Sequence, residues 1–298
     1  MEKFHGLEIL GTIHESSPTD KNNNLINIDI IKYENLEKIL KFNPDLLINC
    51  AAITNVDYCE QFPDIAYQVN VIGTKNLVKL AKQLECKFVH FSTDGIFSGK
   101  NSLYDENDVP NPINYYGKTK LASENQVKEL NDYLICRTNL LYGYVPNNFR
   151  NKKLDYQKPK NFVMWVLHEL SKNHQLRIVD DQISNPTLVD NIPQLIFELI
   201  EKNLVGIYNT VDLSCLSRFD FAKKIAEAFG YSKSLISPIN SIELNQIAPR
   251  PKQTCLDCLK IQNQGIKLHS VDESLKILFS TIKNHEPTII SKSKIKVL

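Results

Sequence analysis

Tyr116 and Lys120 stand four residues apart in the segment Tyr116-Gly117-Lys118-Thr119-Lys120. On a helix, side chains at i and i+4 share a face. An ammonium beside a phenol favours the phenolate and lowers the tyrosine pKa from about 10. The ring hydroxyl then becomes a proton donor and acceptor near neutral pH. Carbonyl reduction needs such a group, because a hydride arrives at carbon while a proton arrives at oxygen. A lysine-rich chain with 12 tyrosines holds about one such spacing by chance. A second copy, Tyr156–Lys160, contains Pro159, which opposes a helix. The Tyr116 copy opens a helix after a loop that itself follows a strand.

Two further segments end strands. Ser92-Thr93-Asp94 offers a hydroxyl that can hydrogen-bond a substrate carbonyl and share the charge developing on its oxygen. The same three residues also make an ordinary turn or helix cap. Asn49-Cys50-Ala51-Ala52 supplies small side chains over which a flat ligand could lie against the backbone, or which simply pack tightly.

The elements that must position these groups alternate. Strands are expected at Leu7–Thr12, Leu25–Asp29, Asp45–Cys50, Lys87–Ser92 and Tyr133–Arg137. A long helix follows Pro63, with an apolar stripe at Ile65, Val69, Ile72, Leu77, Leu80 and Leu84. Another runs from about Asn114 to Leu130. This order predicts an α/β fold, a doubly wound parallel sheet, with ligands bound beyond the strands' carboxyl ends. After residue 144 the pattern changes. Helices at Phe162–Leu170, Asn191–Ile200, Arg218–Phe229 and Val271–Ile282 and strands at Leu176–Val179 and Val205–Tyr208 predict a smaller C-terminal substrate lobe. Residues 1–144 are expected to form the cofactor-binding domain, joined by elements from about 185–212, and 145–298 mainly the substrate lobe. Ser217-Arg218-Phe219-Asp220 resembles a capping box with Asp in place of Glu.

Composition narrows the function classes. The 298 residues are 42% hydrophobic and 23% charged, and 35 Lys+Arg against 34 Asp+Glu leave +1. That balance argues against a nucleic-acid binder and against a polybasic membrane anchor. No apolar stretch approaches the roughly 20 residues of a membrane span, and no secretory h-region follows Met1, so a cytoplasmic location is expected. The seven cysteines are therefore expected to be reduced thiols. Cys255-Leu256-Asp257-Cys258 has C-x-x-C spacing, but no second ligand pair completes a metal site. The ten glycines include no G-x-G or G-x-x-G, so no phosphate-cradling loop is written in this sequence.

Together these segments resemble the extended short-chain dehydrogenase/reductase family. The matching stretches are Asp45–Ala52, Val56-Asp57, Val69–Leu77, Val89–Gly99, Pro112–Glu124, Arg137–Gly143, Val179–Gln182 with Pro186-Thr187, and Pro249–Pro251. The resemblance is strongest to members that reduce the 4-keto group of a dTDP-linked 6-deoxy sugar. It implies Tyr116 as general acid, Lys120 as its pKa-lowering and ribose-binding partner, Thr93 as the carbonyl's hydrogen-bond donor, and Asp94 in support. It implies NADPH or NADH as cofactor, with Ala51, Ala52, Ser92 and Thr12 beside it, and a nucleotide-sugar substrate touching Asn161 and Arg250. A homodimer stays open. The family places a strand, a G-x-x-G-x-x-G turn and a helix ahead of the strand matched by Leu7–Thr12. This sequence starts after them, so a sheet with a vacant central slot is expected. A start downstream of the true one is the favoured account; a natural fragment without cofactor binding, or a partner that supplies the strand, are the others. Val145–Lys160 reads as an insertion, with five cations against Asp155, either closing over a diphosphate or solvated at the surface. Two other functions are carried forward: a non-catalytic regulatory or scaffold homologue, and a nucleotide-sugar epimerase or dehydratase.

Overall fold

The computed structural model describes residues 6–14, 25–145 and 161–285. Twelve strands are present among them: β1 (Gly11–Ile13), β2 (Leu25–Asn27), β3 (Leu46–Asn49), β4 (Lys87–Thr93), β5 (Tyr133–Thr138), β6 (Leu141–Tyr142), β7 (Leu176–Val179), β8 (Ile183–Ser184), β9 (Thr187–Leu188), β10 (Gly206–Asn209), β11 (Leu216–Ser217) and β12 (Ile236–Ile239). The helices are α1 (Glu37–Phe42), α2 (Val56–Gln61), α3 (Pro63–Tyr67), α4 (Thr74–Leu84), α5 (Tyr115–Val127), α6 (Phe162–Ser171), α7 (Ile192–Glu201), α8 (Arg218–Ala228), α9 (Leu259–Gln262) and α10 (Val271–His285).

A parallel sheet in the order β10-β5-β4-β3 forms the centre. Successive side chains of a strand point to opposite faces, and here both faces are buried. Phe88 and Ile135 enter a cluster with Leu36, Leu77, Leu80 and Val127 on one side. Val89, Leu134 and Cys136 enter another with Ile192, Ile196, Leu199 and Ile261 on the other. Continuous apolar strands between two helical layers are what a parallel sheet requires. The return of β10 to the edge of β5 brings a late element into this sheet. A third cluster joins α6, α8 and α10 to β7 and β12, around Leu167, Leu170, Phe221, Ile225 and Leu278.

Two elements depart from the sequence reading. The first strand is Gly11–Ile13 and not Leu7–Thr12. Leu7 and Ile9 stay exposed, and β1 pairs with β2 in a separate two-stranded parallel sheet. No described strand is hydrogen-bonded between that pair and β3. Asn76 of α4 holds the connection after β2, donating to the carbonyls of Ile30 and Ile31 at 2.9 and 2.8 Å. The second departure lies in the long helix after Pro63. A wide π turn over Gln68–Gly73 separates α3 from α4 and turns Asn70 into the core. Such bulges inside helices gather at functional sites.

The cysteines give a correction. Cys215 and Cys255 form a disulfide, so the expectation of uniformly reduced thiols fails at this pair. Cys258, the other half of the C-x-x-C, is a free buried thiol. A spacing of 40 residues hides the pair from sequence; β8 makes it, because it meets β11 on one side and bridges Gln253 on the other. Closing a loop of that length is worth about 4 kcal/mol on the chain-entropy account. Dithiothreitol is therefore expected to lower the unfolding free energy by about 2–4 kcal/mol. A Cys215→Ser variant should be as unstable and no longer respond to reductant. Equal urea midpoints with and without reductant would show that the bond contributes nothing.

Candidate active site

One cavity of about 650 Å³ opens at the carboxyl ends of β3, β4 and β5. Its wall includes Cys50, Ala51, Ala52, Ser92, Thr93, Asp94, Tyr116, Lys120, Arg218 and Arg250. Tertiary structure thus brings together segments more than 150 residues apart.

Each wall is fixed by polar side chains that the local sequence supplies. Asn49 ends β3, accepts from the Ala51 N–H at 3.0 Å and donates to Thr74 and to His90 Nδ1, each at 3.2 Å. Asn70, in the π turn, accepts from the Ile53 N–H at 2.8 Å and donates to Thr119 at 3.0 Å. It therefore ties the loop after β3 to the helix bearing Tyr116. Asn114 caps that helix by accepting from the Gly117 N–H at 2.9 Å, and its amide donates to the Pro249 carbonyl at 2.9 Å. Gly117 is required where α5 meets the turn after β4. A Cβ there would fall 2.1 Å from the Gly95 carbonyl oxygen.

Lys120 is buried and donates to the Phe91 carbonyl at 2.6 Å; its ammonium lies 3.4 Å from His90 Nε2. Burial pulls its pKa down to about 8, against the pull of Glu124. His90 is held well below the ordinary histidine range by burial and by the lysine charge, so its ring is neutral. The two shorter of its hydrogen-bond contacts assign a tautomer, against the longer approach of the Lys120 ammonium. Asn49 donates to Nδ1, and Ser123 gives its proton to the Lys120 carbonyl at 2.7 Å, so Nε2 carries the hydrogen and donates to Ser123.

The expected effect of Lys120 on Tyr116 is corrected. Burial pushes the Tyr116 hydroxyl above the ordinary tyrosine value; Thr93 offsets this in part and the Asp94 charge adds to it. Desolvation outweighs any help from the lysine, whose ammonium gives one of its three hydrogens to the Phe91 carbonyl. The phenol is thus held protonated, as a donor. Thr93 donates to Asp94 Oδ1 at 3.0 Å and accepts from the Gly95 N–H at 3.1 Å. Thr254 donates to the other Asp94 oxygen. Burial lifts the Asp94 pKa to about 6, with Thr254, Thr93 and Arg218 opposing.

These two shifts set opposite stability windows. The Lys120 pKa is lower folded than unfolded, so its cost is full below about pH 8 and fades as pH rises toward 10.5. The Asp94 pKa is higher folded than unfolded, so its cost is full above about pH 6 and fades as pH falls toward 3.8. Each contributes a slope of up to about 1.4 kcal/mol per pH unit inside its window. Urea titrations across pH should show Lys120→Met flattening the alkaline window and Asp94→Asn the acidic one. Unchanged slopes in either variant would refute that assignment.

Three expected site residues stand differently. Thr12 is in β1, outside the cavity wall. Asn161 is outside it too: it caps α6 by accepting from the Met164 N–H at 3.1 Å and donates to the Gly143 carbonyl at 2.8 Å, which uses both ends of its amide. Ser92 lines the cavity, but its hydroxyl donates to Glu124 at 2.6 Å. Of the insertion, residues 146–160 lie outside the described residues.

The sequence profile of the RmlD substrate binding domain matches residues 6–284. The chain belongs to this family. A probable low-salt glycan biosynthesis reductase of Haloferax volcanii is 30% identical over 284 residues, covering 94% of this chain and 92% of its own. Methionine adenosyltransferase 2 subunit beta of Bos taurus is 31% identical over 235 residues, 76% of this chain and 67% of its own. Among solved RmlD-like structures, dTDP-4-dehydrorhamnose reductase of Bacillus anthracis in complex with NADP superposes with a TM-score of 0.77 at 29% identity, covering 92% of this chain and all of that one.

Arg218 and Thr254 are wall residues that the sequence does not single out. In the sequence Arg218 is part of a helix start, and nothing in its neighbours signals a cavity. β8 pairs with β11, and the Arg218 N–H donates to the Gln182 carbonyl at 3.1 Å, which brings residue 218 to the site.

Proposed function

We propose that this chain is an NAD(P)H-dependent oxidoreductase that reduces the 4-keto group of a nucleotide-linked 6-deoxy sugar, as dTDP-4-dehydrorhamnose reductase does. The carrying observation is the convergence of Tyr116, Thr93, Asp94 and Lys120 on one cavity at the strand ends. We read residues 1–144 with 185–212 as the cofactor domain and the remainder as the substrate lobe.

The wall fits the nicotinamide end of the cofactor. Ala51 and Ala52 leave the backbone open, and Lys120 presents an ammonium to ribose hydroxyls. Bound dihydronicotinamide supplies the hydride. Tyr116 gives its proton to the carbonyl oxygen, completing the alcohol. Thr93 shares the charge on that oxygen as it develops. For Thr93 to donate there, its hydrogen must turn from Asp94 Oδ1, and Asp94 then keeps its bond from Thr254. The neutral His90 leaves Lys120 as the cation under the phenolate.

The test is loss of NADPH absorbance on adding dTDP-6-deoxy-lyxo-4-hexulose, with the dTDP-rhamnose product identified by mass. Absence of both, in protein that binds NADPH, rejects the reading. The likeness to an adenosyltransferase subunit favours a second reading, a non-catalytic partner protein. A chain that binds neither NADPH nor the keto sugar would favour it.

A further inference from the structure

Arg250 and Arg218 both face the cavity, yet their charges are differently engaged. Arg250 pairs with Asp57 at 3.0 Å through Nη2 and donates to the Ala248 carbonyl at 2.8 Å through Nη1. Asp57 also accepts from the Ala248 N–H at 3.0 Å. This arrangement pins the segment around residues 248–250 onto α2 and satisfies the Arg250 charge within the protein.

Arg218 has no such partner. Its guanidinium makes no hydrogen bond and no ion pair within 4.0 Å among the described residues. It rests over the Phe162 ring, 5.7 Å from the centroid. Asp94 is the carboxylate it senses, from beyond 4.0 Å, and each Asp94 oxygen already accepts one hydrogen bond, from Thr93 and from Thr254. Arg218 is also the first residue of α8, where the helix dipole is positive, and its other charged neighbour is Arg250. Asp94 and the Phe162 ring favour this cation, while Arg250 and the helix dipole oppose it. A largely desolvated charge without a direct ion pair is costly, so the position makes physical sense when a closer counter-ion arrives with a ligand. Two more donors of the wall, Asn139 Nδ2 and Thr138 Oγ1, are buried and lack acceptors. The wall is thus rich in donors and short of acceptors. A planar guanidinium matches a phosphate with two parallel hydrogen bonds.

We propose that Arg218, and not Arg250, binds the diphosphate of the nucleotide sugar, with Arg250 positioning the wall. This rests on the nucleotide-sugar reading of the cavity. The pairing of β11 with β8 and the Cys215–Cys255 disulfide fix Cys215, Leu216 and Ser217, the residues that precede Arg218.

The experiment is calorimetric titration of the full chain with dTDP and with thymidine, which has the base but no phosphate. Arg218→Gln should weaken dTDP at least tenfold and thymidine less than twofold. Arg218→Lys, which keeps the charge but loses the fork, should fall between wild type and Arg218→Gln. Arg250→Gln should weaken dTDP less than Arg218→Gln does. A dTDP affinity within threefold of wild type in Arg218→Gln, an equal loss for thymidine, the reverse order of the two arginine variants, or a wild type that does not prefer dTDP to thymidine would each overturn the proposal. A chain that binds dTDP through Arg218 but never oxidises NADPH keeps this inference and loses the reductase reading.

Discussion

Tyr116→Phe is expected to lower kcat for keto-sugar reduction by about 10²–10⁴-fold, the usual contribution of a positioned general acid. KM and the unfolding free energy should change little. The ring stays in place because Asn114 caps its helix and Asn70 and Thr119 hold the helix to the loop after β3, none of them through the phenol. The substitution removes the only proton that Tyr116 can give and leaves Thr93 able to polarise the carbonyl. Residual turnover should therefore persist above that of Tyr116→Phe combined with Thr93→Val. Stopped-flow measurement of NADPH oxidation checks this, with circular dichroism to confirm the fold. Turnover within threefold of wild type would remove Tyr116 from the chemistry.

The largest expected stability effect lies one layer below the cavity. Arg137 and Glu124 are both buried and pair twice, Nε to Oε1 at 3.0 Å and Nη2 to Oε2 at 2.9 Å. Ser92 donates to the same carboxylate, and Arg137 also reaches the Glu106 carbonyl at 3.3 Å. Glu124→Ala leaves a guanidinium in the core without its counter-charge. A broken buried pair of this kind costs about 3–5 kcal/mol. The double variant Glu124→Leu/Arg137→Leu should cost less than the single one, because no charge is then stranded. Urea denaturation of the three proteins measures both effects. A loss below about 1 kcal/mol for Glu124→Ala would mean that water reaches the site and the charge is not stranded. Because Ser92 adjoins Thr93 in β4, Glu124→Ala should also lower kcat in whatever fraction remains folded.

The sequence by itself determined the alternation of strands and helices, and with it the parallel sheet. Local patterning suffices there: Phe88-Val89 and Leu134-Ile135-Cys136 are short apolar runs buried on both faces, whereas edge strand β3 leaves Ile48 43% exposed. It also determined which strand ends to examine, so Thr93, Tyr116, Lys120 and the two alanines were legible as a set. Tertiary structure decided whatever depends on the dielectric and on distant partners. The spacing of Tyr116 and Lys120 suggested a lowered phenol pKa, but a spacing carries no information about desolvation, and burial reversed the sign. The family resemblance implies Asn161 as a substrate contact; the fold also makes it the cap of α6, accepting from the Met164 N–H. The Cys215–Cys255 bond and the arrival of Arg218 at the cavity both follow from β8 being shared between strands on either side. Such pairings join residues tens of positions apart, with no local pattern to announce them. Periodicity reports which face of an element is buried, and only the folded chain reports what lies across from it.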